Sequence, residues 1–393
     1  MKDPFACAGS VRLRAGRDAA VRRRHPWVYR GALVDPVPDP VRPAVVLAAD
    51  GEERLGVALP GGSGGSLALR MVTFGEREWS AAALRERVLA AHRLRERLCL
   101  DTDAYRLIHA EGDELPGLVI DRYLDAAVCE LYEPAWEAVL PALCRTLVED
   151  LGARCVLVRH AFGRSEPAAV AHGTAPSGPL AVREGAVRLL ADLLHGQKTG
   201  LFLDQRENRR RLGALAAGAT VLNLFSYSGG FALTALAGGA VRAINVDSSE
   251  PALALARAAY ELNGVAVHDE DFIAADAFRA TRELVAAGGR FDVVVVDPPA
   301  FVRRRAELAG GLRGYKDVNL QALRLLAPGG LLLTCSCSAL VSEEQFGAVL
   351  AAAAADARRH LSVLERYGAG PDHPVSVYCP EMRHLKAWFC RAN

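Results

Sequence analysis

Apolar and polar positions run through the chain in distinct textures. Up to about residue 75, short Val-rich runs are cut by Pro36, Pro38, Pro40 and Pro43 and by Gly61-Gly62-Ser63-Gly64-Gly65. That pattern predicts a small, mostly β unit with tight turns. Between residues 79 and 98, Leu84, Val88, Leu89 and Leu94 recur among Arg and Glu, which is helical spacing and predicts a connecting helix. From 104 to 190, strand-like runs at Leu118-Val119-Ile120, Ala126 to Leu131 and Cys155 to Val158 accompany one helical stretch near Ala135 to Leu151. A small α+β unit is expected there, with a loop at Gly173 to Gly178.

From about residue 196 the texture changes. Val221-Leu222-Asn223-Leu224-Phe225 is an apolar strand followed by a glycine turn and a helical run. Ala243 to Asp247, Phe291 to Val296 and Gly330 to Thr334 are further strands, the first ending in an acid and the second running into Asp297-Pro298-Pro299. Continuous apolar strands alternating with helices describe an α/β fold with a parallel, Rossmann-like sheet covered on both faces. Ligands of such sheets sit at the carboxyl ends of the strands. Ser226, Asp247, Asp297 and Cys337 fall at or just past strand ends, and Asn223 close by is read as ordering the turn. The expected division is 1–75, 76–190 and 191–393.

Composition narrows the function classes. The 393 residues are 51% hydrophobic and 24% charged, as in folded globular chains. Lys+Arg numbers 47 against 46 Asp+Glu, so a nucleic-acid surface must be a local patch. No apolar run reaches the ~18–20 residues of a membrane span. The first residues, Met1-Lys2-Asp3-Pro4-Phe5, lack the apolar stretch of a secretion signal, so a cytoplasmic protein is expected. Nine cysteines without a C-x-x-C pair suggest neither a disulfide framework nor a metal site.

The turn Phe225-Ser226-Tyr227-Ser228-Gly229 lets backbone approach a ligand and start the next helix. It is not G-x-G-x-x-G, which argues against a dinucleotide-dependent dehydrogenase. Asp247, followed by Ser248, is placed to accept from both hydroxyls of a ribose; the alternative is a helix N-cap. Asp276 and Ala277, with Phe278 beside them, suit an adenine. This order resembles the class I S-adenosylmethionine-dependent methyltransferases over residues 220 to 340. The resemblance implies S-adenosylmethionine as cofactor, held by Phe225, Ser226, Tyr227, Ser228, Gly229, Asp247, Ser248, Asp276, Ala277 and Asp297.

Asp297-Pro298-Pro299-Ala300-Phe301 is similar to the fourth motif of nucleobase methyltransferases; its prolines stiffen a loop that aims Asp297 at a base edge. Phe301 either stacks on that base or lies in the core. Thr334-Cys335-Ser336-Cys337-Ser338 ends a strand nearby. Carbon 5 of cytosine is a weak nucleophile until a thiolate adds to carbon 6, and this is covalent catalysis. A thiol here is what 5-methylcytosine synthesis needs, with Asp297 stabilising the adduct at ring nitrogen 3. Alternation places Cys335 and Cys337 on one face. Cys337, at the tip, is the expected nucleophile, and Cys335 is the second candidate or a core residue.

Arg313-Gly314-Tyr315-Lys316-Asp317, Leu331 to Thr334 and Ser336-Cys337-Ser338 resemble the bacterial large-subunit ribosomal RNA 5-methylcytosine methyltransferases that carry an N-terminal PUA domain. Gly196-Gln197-Lys198-Thr199-Gly200-Leu201-Phe202-Leu203-Asp204-Gln205-Arg206, Arg106 to Asp113, Leu115 to Leu118, Asp372-His373-Pro374 and Leu385-Lys386 are similar to the same family. The resemblance implies a thiol at Cys337, ribosomal RNA as partner and a homodimer. The fourth motif here lacks the second Cys of the better-known two-cysteine RNA enzymes, so water or Asp297 must serve the release step.

Arg12, Arg14, Arg17, Arg22, Arg23, Arg24 and Arg30 crowd the first thirty residues, with Asp3 and Asp18 the acids there and His25-Pro26-Trp27-Val28-Tyr29 adding aromatics. Arg22, Arg23, Arg24 and Trp27 are candidate RNA contacts, resembling the start of a PUA domain; Trp27 is otherwise core. Lys198, Arg206, Pro298 and Phe301 are candidate substrate contacts, while Asp204 and Arg206 alternatively pair with each other. Two other functions stay open: methylation of a purine ring or exocyclic nitrogen, and a non-catalytic RNA-binding assembly factor.

Overall fold

The computed structural model describes residues 3–62, 65–162 and 167–393. Ser63 and Gly64 of the expected glycine turn lie outside the described residues. The chain divides into two units that interleave along the sequence: residues 1–180, 192–200 and 371–382 form the first, and 181–191, 201–370 and 383–393 the second.

In the first unit, β1 (Ser10–Arg12), α1 (Ala19–Arg22), β2 (Trp27–Tyr29), β3 (Ala44–Leu47), β4 (Arg54–Pro60) and β5 (Leu67–Phe74) build a sheet of order β1-β3-β4-β5-β2. Only β1–β3 is parallel. Its alternating strands bury Val11, Val28, Val46, Leu69 and Met71 in one core. The helix α2 (Ala81–Arg97) starts at Ser80, whose hydroxyl accepts the Ala83 N–H. Its buried positions are Leu84, Val88, Ala91 and Arg95, whereas Leu94 is exposed. The expected helix is present, but its inward stripe leaves Leu94 out.

The strands β6 (Ala104–His109), β7 (Leu118–Tyr123), β8 (Ala126–Leu131), β9 (Cys155–His160) and β10 (Ala169–His172) form a second sheet of order β10-β9-β8-β7-β6. The helix α3 (Ala135–Arg145), extended by a π-helical stretch over Thr146–Asp150, makes the crossover between parallel β8 and β9. Trp79, Trp136, Leu84 and Val139 pack with Val57, Leu59, Ile120 and Val156.

The second unit opens with the hairpin β11 (Leu180–Glu184) and β12 (Val187–Ala191). Then come α4 (Arg206–Gly213), β13 (Thr220–Leu224), α5 (Gly230–Ala237), β14 (Arg242–Asp247), α6 (Glu250–Leu262), β15 (Phe272–Ala274), α7 (Ala277–Ala286), β16 (Phe291–Val296), α8 (Leu308–Leu325), β17 (Leu326–Ser336), α9 (Glu343–Ala357), β18 (Leu361–Tyr367) and β19 (Lys386–Ala392). The seven-stranded order is β15-β14-β13-β16-β17-β19-β18. The five strands from β13 to β17 are parallel, as their Val- and Leu-rich runs predict. Beyond the strands legible in the sequence, one edge departs from the parallel run. There β19 runs antiparallel between β17 and β18, because β18 and β19 are successive strands rather than ends of a helical crossover.

Candidate functional site

The end of β13 turns sharply. Phe225, Tyr227 and Gly229 have φ of +57°, +47° and +76°, a costly run of left-handed positions for side-chain-bearing residues. At Gly229 a Cβ would stand 2.9 Å from the Ala256 Cβ, so glycine is required by both conformation and the approach of α6. The turn is held from the next strand. Asp247 Oδ2 accepts the Tyr227 N–H at 2.8 Å, and its Oδ1 accepts the Ser249 N–H at 2.9 Å. Ser249, not Asp247, is the N-cap of α6. Capping is instead what Asp276 does, since its Oδ1 accepts the Arg279 N–H at the start of α7.

Ser226 is buried and its Oγ has no hydrogen-bond partner among the described residues. An orphaned hydroxyl in a cradle of strained backbone fits a polar ligand group. Ser228 and Ala277 are buried, while Ser248 is exposed. Asn223 does not order the turn. It is fully buried, and its Nδ2 donates to Asn245 Oδ1 at 3.1 Å on the neighbouring strand, while Asn245 Nδ2 donates to the Tyr260 hydroxyl at 2.9 Å.

The loop after β16 carries Asp297, half-buried, and Pro298, buried. Gln205 Nε2 donates to Asp297 Oδ1 at 2.9 Å, and Asn208 Nδ2 donates both to Gln205 Oε1 and to the Gly368 carbonyl. Phe301 packs against Tyr315 with ring centroids 4.7 Å apart, and against Phe225 and Phe278 at 6.4 and 5.8 Å. Of the two expected roles for Phe301, the structure places it in this aromatic cluster. The helix α8 reaches the loop through Gly311, where a Cβ would meet Val302 Cγ2 at 2.3 Å and the Phe301 carbonyl at 2.8 Å.

The two cysteines separate. β17 stops at Ser336, and Cys335 and Ser336 are both fully buried. The alternation expected to carry Cys337 onto the face of Cys335 therefore ends one residue too early. Burial, aided by the Asp297 charge, pushes the Cys335 thiol well above its ordinary value. Cys337 lies beyond the strand, half-buried, with Sγ 3.8 Å from the Pro298 carbonyl that it faces as a donor. Ser338 ties the two loops together: its Oγ accepts the Val302 N–H at 3.1 Å and meets the Tyr315 hydroxyl at 2.9 Å. Gln205 and Ser338 are positions to which the sequence pattern assigns no role. Both lie inside the motif segments, but only the folded chain shows their partners.

The basic segment lies in the first unit. Arg22, exposed, pairs with Asp18 and Glu53 at 2.6 Å each. Arg12 pairs with Asp35 in the same way. Arg17, Arg23 and Arg24 remain exposed. Trp27 is half-buried; its Nε1–H donates to Glu111 at 2.7 Å and the Arg70 guanidinium lies over its ring. Arg17, His25, Trp27, Tyr29 and Glu381 line a cavity of about 360 Å³. His25, Cys379 and Glu381 bring ligand-type atoms within 4.8 Å of one another. However, His25 Nδ1 accepts the Trp27 N–H, which puts the neutral ring's proton on Nε2, toward Glu381 at 3.4 Å. A ligating histidine has the reverse arrangement.

The expected substrate contacts Lys198 and Arg206 fall in different units. Lys198 is exposed with φ +49°, and Arg206 is buried with Nε 3.3 Å from Glu207. Asp204 faces His384 Nε2 at 3.6 Å.

A family profile described as S-adenosylmethionine-dependent methyltransferase matches residues 133–387, and one described as a PUA-like domain matches 11–74. The Aeromonas salmonicida protein named ribosomal RNA large subunit methyltransferase I is 38% identical, covering 98% of this chain and 99% of its own length. The Photobacterium profundum protein of that name is 38% identical over 97% of this chain and 98% of its own. Among solved structures, a candidate SAM-dependent methyltransferase from Streptococcus mutans superposes with a TM-score of 0.85 at 20% identity, covering 97% of this chain and 99% of that one. A candidate methyltransferase complexed with SAH gives the same score, identity and coverage; both share the fold.

Proposed function

Because the chain belongs to the S-adenosylmethionine-dependent methyltransferase family, we propose that it methylates carbon 5 of a cytosine in large-subunit ribosomal RNA through a covalent adduct with Cys337. S-adenosylmethionine supplies an electrophilic methyl group on a sulfonium. The strained turn at 225–229, the orphaned Ser226 hydroxyl and the Asp247 carboxylate fit its polar groups. Asp276 and Ala277 at the head of α7 suit its adenine end.

The observation that carries the reading is the position of Cys337, past the end of β17 and facing the Pro298 carbonyl at 3.8 Å. Its sulfur faces the Asp-Pro-Pro loop from outside the sheet, while Cys335, though it feels the Asp297 charge, is fully buried within the sheet. The Cys337 sulfur bonds to carbon 6 of the pyrimidine, and the electron pair displaced onto the ring makes carbon 5 nucleophilic. Asp297, oriented by Gln205, stabilises the adduct at ring nitrogen 3. Once carbon 5 carries the methyl group, its proton leaves to Asp297 or to water. The carbon 6–sulfur bond then breaks and the thiolate returns. A base held in this way must be single-stranded or flipped out of a helix. Arg17, Arg23, Arg24 and the aromatic cavity beside them supply the RNA-facing surface of the PUA-like region.

The test pairs a variant with a trap. Cys337→Ala is expected to abolish methyl transfer to large-subunit RNA, and RNA containing 5-fluorocytosine to form a stable covalent complex with the wild-type chain. Retained turnover in Cys337→Ala with no trapped complex would replace this reading with methylation of a nitrogen acceptor. Mapping methylated nucleotides in RNA from a deletion strain, with and without the purified protein, identifies the position.

A further inference from the structure

A buried cation stands at the segment that carries the thiol, without a carboxylate of its own among the described residues. Lys386 lies on β19 directly across from Ser336 and is 6% exposed. Its Nζ donates to the Ser338 carbonyl at 3.1 Å and to the His384 carbonyl at 3.0 Å. An ammonium has three donors, so these two carbonyls leave one. Taking an ammonium out of water is costly unless an anion compensates. The acid that acts on Lys386 most, Glu343 at the start of α9, is engaged by Arg383 at 3.4 Å. The residue between Ser336 and Ser338, the two positions that Lys386 touches, is Cys337.

Several groups around the thiol oppose its ionisation. The Pro298 carbonyl accepts from the protonated form. The Asp297 charge already acts on Cys335. Tyr315 on α8 and Cys335 on β17 also interact with Cys337, and each would be a second anion if ionised. Burial holds the Lys386 ammonium below the ordinary lysine value, while Glu343 and Cys337 act to raise it and Arg383 to lower it. A neighbouring cation is what a thiolate at position 337 requires.

We propose that Lys386 is a positioning residue for the transfer, its ammonium anchored on the Ser338 carbonyl so that Cys337 is held as the attacking thiolate. This rests on the covalent reading above. It is tested on the full chain by the rate at which iodoacetamide alkylates Cys337, followed by peptide mass spectrometry across a pH range that brackets the ordinary thiol value of about 8.5. In the wild type the midpoint is expected below that value. Lys386→Met should raise it by about one unit, slowing alkylation at neutral pH about tenfold, and Lys386→Arg should restore most of the rate. A wild-type midpoint at or above the ordinary value overturns the proposal and needs no variant to fold. So does a Lys386→Met profile that coincides with wild type while S-adenosylmethionine affinity is unchanged. The 5-fluorocytosine trap separates the two levels. A trapped adduct with an unshifted profile removes Lys386 alone, whereas a shifted profile with no adduct removes the covalent reading.

Discussion

Gln205 holds Asp297: the side-chain Nε2 of the one lies 2.9 Å from Oδ1 of the other, and Asn208 locks Gln205 from behind. Both Gln205 and Asn208 are buried, so the amide has no freedom to turn and the carboxylate is presented in one orientation. An acid at a strand end thus becomes a directed acid through a residue far earlier in the chain.

Gln205→Ala removes that donor and opens space beside Asp297. Methyl transfer is expected to fall by about tenfold to a hundredfold, with S-adenosylmethionine affinity little changed, because an orientation is disturbed rather than a binding group removed. Single-turnover rates beside calorimetric affinities separate the two effects.

Asp247 anchors the cofactor turn through two backbone N–H groups, those of Tyr227 and Ser249. Asp247→Ala leaves both without their acceptor and releases the left-handed positions at 225 and 227. A cost of about 1–3 kcal/mol is expected, seen as a drop in S-adenosylmethionine affinity of about fivefold to a hundredfold in isothermal titration. Asp247→Asn keeps one acceptor oxygen and should fall between wild type and Ala.

Arg17, Arg23 and Arg24 are exposed, whereas Arg22 is paired with two acids. Replacing the three exposed arginines with Ala should weaken RNA binding and flatten its salt dependence, by about 0.7–0.9 in the log–log slope for each phosphate no longer neutralised. Arg22→Ala should leave that slope nearly unchanged. Filter binding over a series of salt concentrations reads both.

Asp292 on β16 accepts from the Thr220 backbone N–H and hydroxyl, both at 2.8 Å. These bonds hold its carboxyl below the ordinary value, the backbone bond contributing most. A depressed folded value means the stabilisation is fully present above the unfolded value of about 3.9 and disappears as pH falls through the folded one. Asp292→Asn should therefore reduce thermal stability at neutral pH by a small amount, since the site is exposed, and soften the acid limb of the stability curve. Melting temperatures across that limb check the sign.

Much of the second unit was legible in order along the chain. Val221 to Leu224, Ala243 to Val246 and Phe291 to Val296 are apolar runs that suit a strand covered on both faces, and the acids and thiols that follow them fall at or just past strand ends by simple counting. What sequence alone determined, then, was local: which segments become strands, where the glycine turn must lie, and that Asp297 and Cys337 fall at or just past strand ends. Tertiary structure decided the choice between like residues. It buried Cys335 and left Cys337 facing Pro298, committed Arg22 to Asp18 and Glu53, drew Phe301 into the aromatic cluster, and brought Gln205 and Lys386 to groups far away in sequence. The physical reason is that strand and turn formation follow from the periodicity of adjacent residues. Burial and hydrogen-bond partnership depend on which distant segments share a layer, and no local pattern encodes that.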